Sequence, residues 1–173
     1  MKKVWEKRNG FAGDINLVLI SLLQSFNIDA SPLLVAERDY GKVDPKLPFV
    51  DRFNKTVAYV TADGRTFILD ATQKFCPAGL TPYPLLNTYA LIINKKTTGL
   101  IPVKTGNEVF SSTAVINATL DKTGLLTGKS VIKTDEYAKQ LQSEQISKNE
   151  KSLLRNMKKT TRAYLLTVFL VKT

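Results

Sequence analysis

Lys55 and Asp70 stand fifteen positions apart on either side of an Asp63-Gly64 pair, and they are the two charged groups whose placement most suggests a site. Facing each other they would form an ion pair. A lysine ammonium at neutral pH donates protons and does not accept them, so Lys55 in that form cannot serve as a general base. Amide chemistry by a thiol, an imidazole and a carboxylate would need a histidine. The chain of 173 residues contains none. Its single cysteine, Cys76, can form no internal disulfide and can supply no structural zinc site by itself. Cys76 is either a displaced nucleophile or a small buried apolar group beside Pro77. Burial is the usual state of such a thiol, and without an activating histidine the apolar role is favoured. Asp39, Asp44, Asp51 and Asp63 lack calcium-loop spacing, so no metal or other cofactor is expected.

Two segments must position these groups. The first runs from Gly10-Phe11-Ala12-Gly13-Asp14 into Ile15–Phe26, and it reads as a loop, a cap and a helix. Asp14 suits an N-cap, where its carboxylate would accept a bond from an unpaired N–H at the positive end of the helix dipole. Apolar residues occupy nearly every face of that helix, which predicts burial all round. The second segment is Phe53–Val60, a turn at Ala62-Asp63-Gly64-Arg65, and a return through Thr66–Thr72. Asp-Gly between two β-rich runs predicts a hairpin, because both turn residues tolerate positive φ. Asp70 would then close a strand, accepting bonds from a turn or pairing with Lys55 across the hairpin. A structural role of this kind is the commoner reason for such a carboxylate.

In this order the two segments resemble the bacterial transglutaminase-like superfamily, which has a papain-like core. Its members carry Gly-x-Cys-x-Asp at a helix N-terminus, a His at the start of one strand, and an Asp closing the next in a Leu-Asp-Ala/Pro-Thr context. The likeness covers about residues 5–103. It puts Ala12 at the Cys position, Lys55 at the His position and Asp70 at the Asp position. Ala30–Arg38 and Phe75–Leu80 are similar to a subgroup found in large multidomain bacterial proteins. The resemblance implies a degenerate triad and a noncatalytic module that binds or scaffolds a peptide or protein ligand in a cell-envelope protein, periplasmic or at the cell surface. Its groove would be lined by Gly10, Ala12 and Asp14 at the helix N-terminus and by Asn54, Lys55 and Asp70 at the strand ends. The alternative is a residual amide-directed hydrolase or transglutaminase using Cys76 or a base from a partner chain. The family's usual upstream helices are missing before Gly10, so the expectation is a fragment or a truncated gene product. It follows that the exposed apolar helix should dimerise or need upstream domains, with the contact near Ile15–Phe26.

A change of character after Val103 predicts a second unit. Asn107–Leu120 reads as a long strand with polar residues on one face, Asp121-Lys122-Thr123-Gly124 as a turn, and Leu125–Ile132 as the return. Thr134-Asp135-Glu136 would cap a helix running to about Lys158, with room for a break near Ser147–Asn149. Ala163–Val171 is a continuous apolar strand, suited to the centre of a sheet or else prone to aggregate. The expected architecture is therefore α+β: a partial papain-like core, with a buried helix on an antiparallel sheet, at 1–103, and a small β-rich unit with one helix at 104–173. This second unit resembles, more weakly, the β-rich domain that follows the core in the same bacterial proteins.

Composition supports a folded chain, with 43% hydrophobic residues. No apolar run reaches the length of a transmembrane span, and Met1–Arg8 regains charge too soon for a secretory signal. The formal charge of +10 raises the rival of a basic module for an anionic polymer. Lys148, Lys151, Arg155, Lys158, Lys159 and Arg162 would carry it. Such a cluster is more often the solvated face of an amphipathic helix, and no nucleic-acid motif accompanies it, so nucleic acid is not the favoured partner.

Overall fold

A computed structural model describes residues 2–47, 49–86, 88–94, 98–104, 110–124, 126–160 and 165–170, the last stretch from 149 onward in its backbone alone. The fold is α+β, and the chain divides into two compact units, Met1–Asn107 and Glu108–Thr173. The first unit begins with a short helix, α1 (Lys2–Lys7), followed by α2 (Ala12–Ser25). Five strands follow: β1 (Asp29–Val35), β2 (Lys55–Ala62), β3 (Arg65–Leu69), β4 (Thr88–Ile92) and β5 (Gly99–Val103). They form one antiparallel sheet in the order β3-β2-β1-β4-β5. Pro32 in the central strand cannot donate to the ladder, but its carbonyl accepts the Ile93 N–H at 2.9 Å just beyond the last β4 pair, Leu33↔Ile92.

Helix α2 starts a turn earlier than Asp14 would dictate. Ile15 N–H already donates to the Phe11 carbonyl at 3.1 Å, so Phe11 takes the N-cap place in extended conformation, with no side-chain cap. Asp14 is displaced from the expected cap into the first turn, where its charge still complements the dipole. The helix ends through Asn27, whose φ of 58° lets Ile28 N–H reach the Leu23 carbonyl and Asn27 N–H reach that of Gln24.

The expectation of burial on all sides also fails. Within α2 only Asn16 and Ile20 are buried, while Leu17 and Leu22 are exposed, as is Phe26 just beyond its end. One stripe of the helix, with Leu19, Ile20 and Leu23, packs on Ala30, Ala58, Val60, Phe67 and Leu69. A second cluster gathers Leu33, Val35, Val57, Leu85, Ala90, Ile92 and Val103. Leu85 enters it from a 3-10 turn at Tyr83–Leu85.

The β2–β3 hairpin turns as the Asp-Gly pair predicts. Asp63 and Gly64 have φ of 49° and 71°, and Ala62 faces Arg65. This register makes Asp70 the first residue after β3.

The second unit has three strands in the order β6-β7-β8, with β6 (Phe110–Leu120) and β7 (Leu126–Asp135) antiparallel and β8 (Leu165–Leu170) parallel to β7. Helix α3 (Glu136–Thr160) is continuous, without the break allowed for near Ser147–Asn149. Four expectations are corrected here. Ser112–Leu120 are exposed throughout, not on one face only. Thr134 and Asp135 are strand residues and not caps, with α3 starting at Glu136, φ 49°. The return strand runs three residues past Ile132. The last apolar strand lies at an edge, because β7 takes the centre. The expected extensions over Asn107–Val109, Ala163, Tyr164 and Val171 fall outside the described residues, as does Arg162. No helix among the described residues is long and apolar enough to cross a membrane.

Because Gly64 holds a left-handed conformation, Gly64→Ala should cost about 1–2 kcal/mol. Gly79→Ala, in open space and at an ordinary φ, should stay within about 0.5 kcal/mol of the parent. Chemical denaturation of the two variants beside the parent checks the contrast.

Candidate functional site

Asp70 is buried at the end of β3, with its side chain fully out of solvent. Its Oδ1 accepts bonds from Thr72 Oγ1 at 2.6 Å, Thr72 N–H at 3.0 Å and Asn16 Nδ2 at 3.0 Å. Its Oδ2 lies 2.8 Å from Lys55 Nζ. That approach is outside hydrogen-bonding alignment, so charge holds it. Lys55 opens β2 in register with Val35, and its Nζ also donates to Glu37 Oε1 at 2.9 Å. Glu37 Oε2 in turn accepts from Asn54 Nδ2 at 3.1 Å, and Asn54 Oδ1 accepts the Glu37 N–H at 2.9 Å. One ammonium is thus shared by two carboxylates.

Asn16 completes the arrangement from α2, and it is fully buried. Its amide is fully satisfied: Nδ2 donates to the Thr56 carbonyl at 2.9 Å and to Asp70, and Oδ1 accepts Ala71 N–H at 2.8 Å. One side chain therefore ties the helix to the start of β2 and to the end of β3. The sequence reasoning passed over Asn16, Glu37 and Thr72. A signal for Asn16 was there: it is the one amide inside the apolar run Ile15–Ile20, four positions after Ala12 and so on the same helix face.

Of the expected site residues, Lys55, Asp70 and Asn54 come together in this network. Ala12 is exposed at the first position of α2, one turn before Asn16. Gly10 has a packing role, since a Cβ there would fall 2.9 Å from Val4 Cγ1 of α1. Cys76 is half-buried and not fully enclosed, with Sγ 3.2 Å from the Leu80 carbonyl. A separate cleft of about 280 Å³, lined by Tyr40, Gly41, Lys42, Asp51 and Arg52, shares no residue with the network. The side chains of Lys151, Arg155, Lys158 and Lys159 lie outside the described residues.

Comparison with protein-family models, curated proteins and solved structures gives no match.

The electrostatics fix the protonation states. Burial opposes the charged form of Lys55, but the contacts with Asp70 and Glu37 outweigh it and hold its pKa above the ordinary lysine value of 10.5. Burial likewise opposes ionisation of Asp70, yet Lys55, Thr72 and Asn16 together hold its carboxyl below 3.8. At neutral pH the pair is therefore fully charged. Lys55 has no lone pair to take a proton, and Ala12 has nothing to ionise. The network can position backbone and fix charge. It contains no nucleophile and base in contact.

Two predictions follow from these bonds. Asn16→Ala leaves the Thr56 carbonyl, the Ala71 N–H and Asp70 each short of a partner, and should cost about 2–4 kcal/mol. Lys55→Met strands a buried carboxylate and should cost about 3–5 kcal/mol at pH 7. The depressed pKa of Asp70 gives stability that is present above its unfolded value and lost as pH falls through the folded one. The raised pKa of Lys55 gives stability complete below about 10.5 and lost as pH rises through its folded value. The gap between Lys55→Met and the parent should therefore narrow below about pH 4. Urea denaturation at a series of pH values measures it, and a gap independent of pH would contradict the ion pair.

Proposed function

We propose that the first unit is a noncatalytic transglutaminase-like module that binds or scaffolds a peptide or protein segment within a larger bacterial cell-envelope protein. The observation that carries this reading is the 2.8 Å contact between Lys55 Nζ and Asp70 Oδ2. It occupies the positions at which the family pattern has its base and its orienting carboxylate. A neutral imidazole there would pass a proton. The ammonium is locked between two carboxylates and cannot. Ala12, at the nucleophile's position, opens α2 on the face of Asn16, so the support for the site remains while the reactive atoms are gone.

The same arrangement suits a groove for an extended segment. Ala12 leaves the first turn of α2 uncluttered, and the unpaired N–H groups of a helix start donate to carbonyl or carboxylate oxygens. Recognition of this kind rests on backbone hydrogen bonds and apolar pockets and so depends little on salt.

Purified protein should neither hydrolyse amides nor transfer amines to them, and Cys76→Ala should behave as the parent. Rapid thiol labelling of Cys76 at neutral pH, together with a turnover abolished by that substitution, would overturn the reading. Binding is tested with a library of unstructured peptides. Ala12→Trp should weaken any selected peptide at least about tenfold, a loss of about 1.4 kcal/mol. Affinity that collapses between low and moderate salt, and is removed by Lys158→Ala with Lys159→Ala, would instead point to an anionic polymer.

A further inference from the structure

The second unit ends on an edge that is built unlike a protected one. Among the described residues strand β6 pairs with β7 on one side only, over ten consecutive residue pairs from Ser111↔Asp135 to Leu120↔Leu126 without a bulge. Exposed edges are ordinarily blunted by lysine, proline, a bulge or brevity, because their unpaired N–H and C=O groups template pairing with another strand. Phe110–Leu120 has eleven residues and contains no charge, no proline and no glycine, in a chain of formal charge +10. Its neighbour β7 carries Lys129, Lys133 and Asp135 over a similar length.

The order of residues in β6 says what the edge fits. Counted outward from Val115, four of the five pairs of positions match in kind: Ala114 with Ile116, Thr113 with Asn117, Ser111 with Thr119, and Phe110 with Leu120, the exception being Ser112 against Ala118. An antiparallel copy placed on a two-fold axis through Val115 would set apolar against apolar and small polar against small polar at the matching positions. Matched cross-strand pairs stabilise a ladder, and like charges directly opposite would break it. With no charge in β6, a second copy meets no such repulsion. A self-complementary strand is also what an isologous dimer requires, since each residue pairs with its symmetry mate.

We propose that β6 is a homodimerisation edge, joining two copies of this chain through antiparallel β6–β6 pairing about Val115 into one six-stranded sheet.

The test uses the full chain. The parent should double its apparent mass from 19.3 kDa with rising concentration in sedimentation equilibrium. Val115 is 54% exposed, so a charged side chain there is compatible with the fold. Val115→Lys places two like charges at the axis and should leave a monomer with an unchanged circular dichroism spectrum. Val115→Glu alone should do the same, and an equimolar mixture of the two should recover the dimer. A register test stands even where those variants fold poorly. In a Cys76→Ala background, Val115→Cys should cross-link with itself under mild oxidation, and Thr113→Cys, facing Asn117 of the other copy, should not. A parent that stays monomeric throughout, a dimer that survives Val115→Lys, or cross-linking equal at 113 and 115 overturns the proposal. So does a dimer lost with Leu22→Lys on the exposed side of α2, which would put the contact on that helix.

Discussion

A carboxylate taken out of water costs several kcal/mol unless charge and hydrogen bonds replace its hydration, and Asp70 is the place where this chain has to meet that requirement. Three of its contacts come from within two residues or from the neighbouring helix, through Thr72 and Asn16, and the fourth is the ammonium of Lys55 at the far end of the hairpin. The two strand ends and α2 are consequently fixed to one another by a single anion. Remove the anion's neighbours and three elements lose their common anchor.

The same constraint decides the chemistry. A lysine this close to two carboxylates is held in its charged form, donating to Glu37 and paired by charge with Asp70. A general base needs a lone pair near neutral pH, and a cysteine nucleophile needs a thiolate at the helix start. The sequence has alanine there and contains no histidine. An ion pair held this firmly gives rigidity and passes no proton. Asn16 serves the same rigidity, since all three of its polar contacts go to the two strand ends.

Much of this was legible in the residues. Asp63-Gly64 specified the hairpin, since two adjacent positive φ values narrow the choice of residue types, and the hairpin in turn placed Lys55 within reach of Asp70. The helix Ala12–Ser25 was legible from its apolar content, but its exposed side was not. Apolar residues on nearly every face give no phase, and the side that packs is the one carrying Asn16 and Ile20, with Ile20 clustered against Ala30 and Ala58 of the sheet. The true start of α2 was hidden because Phe11 caps with backbone alone, whereas Asp14 has the better capping chemistry and the wrong position. Glu37 was beyond reach. Its partners lie 17 and 18 positions away, and only the register Val35↔Lys55 brings them together. Strands β4 and β5 were missed for a similar reason: each has only five residues, and they are set by pairing, β4 on β1 and β5 on β4.

The central claim concerns a proton: Lys55 keeps it, and so cannot act as a base. Direct titration of the Lys55 Nζ by ¹⁵N NMR, with the Asp70 side-chain carbon followed by ¹³C in the same sample, reads this without relying on activity or stability. The account predicts that Lys55 remains an ammonium from neutral pH to beyond 10.5 and that Asp70 remains ionised to below 3.8. A Lys55 that loses its proton near neutrality, or an Asp70 that takes one up there, would contradict it.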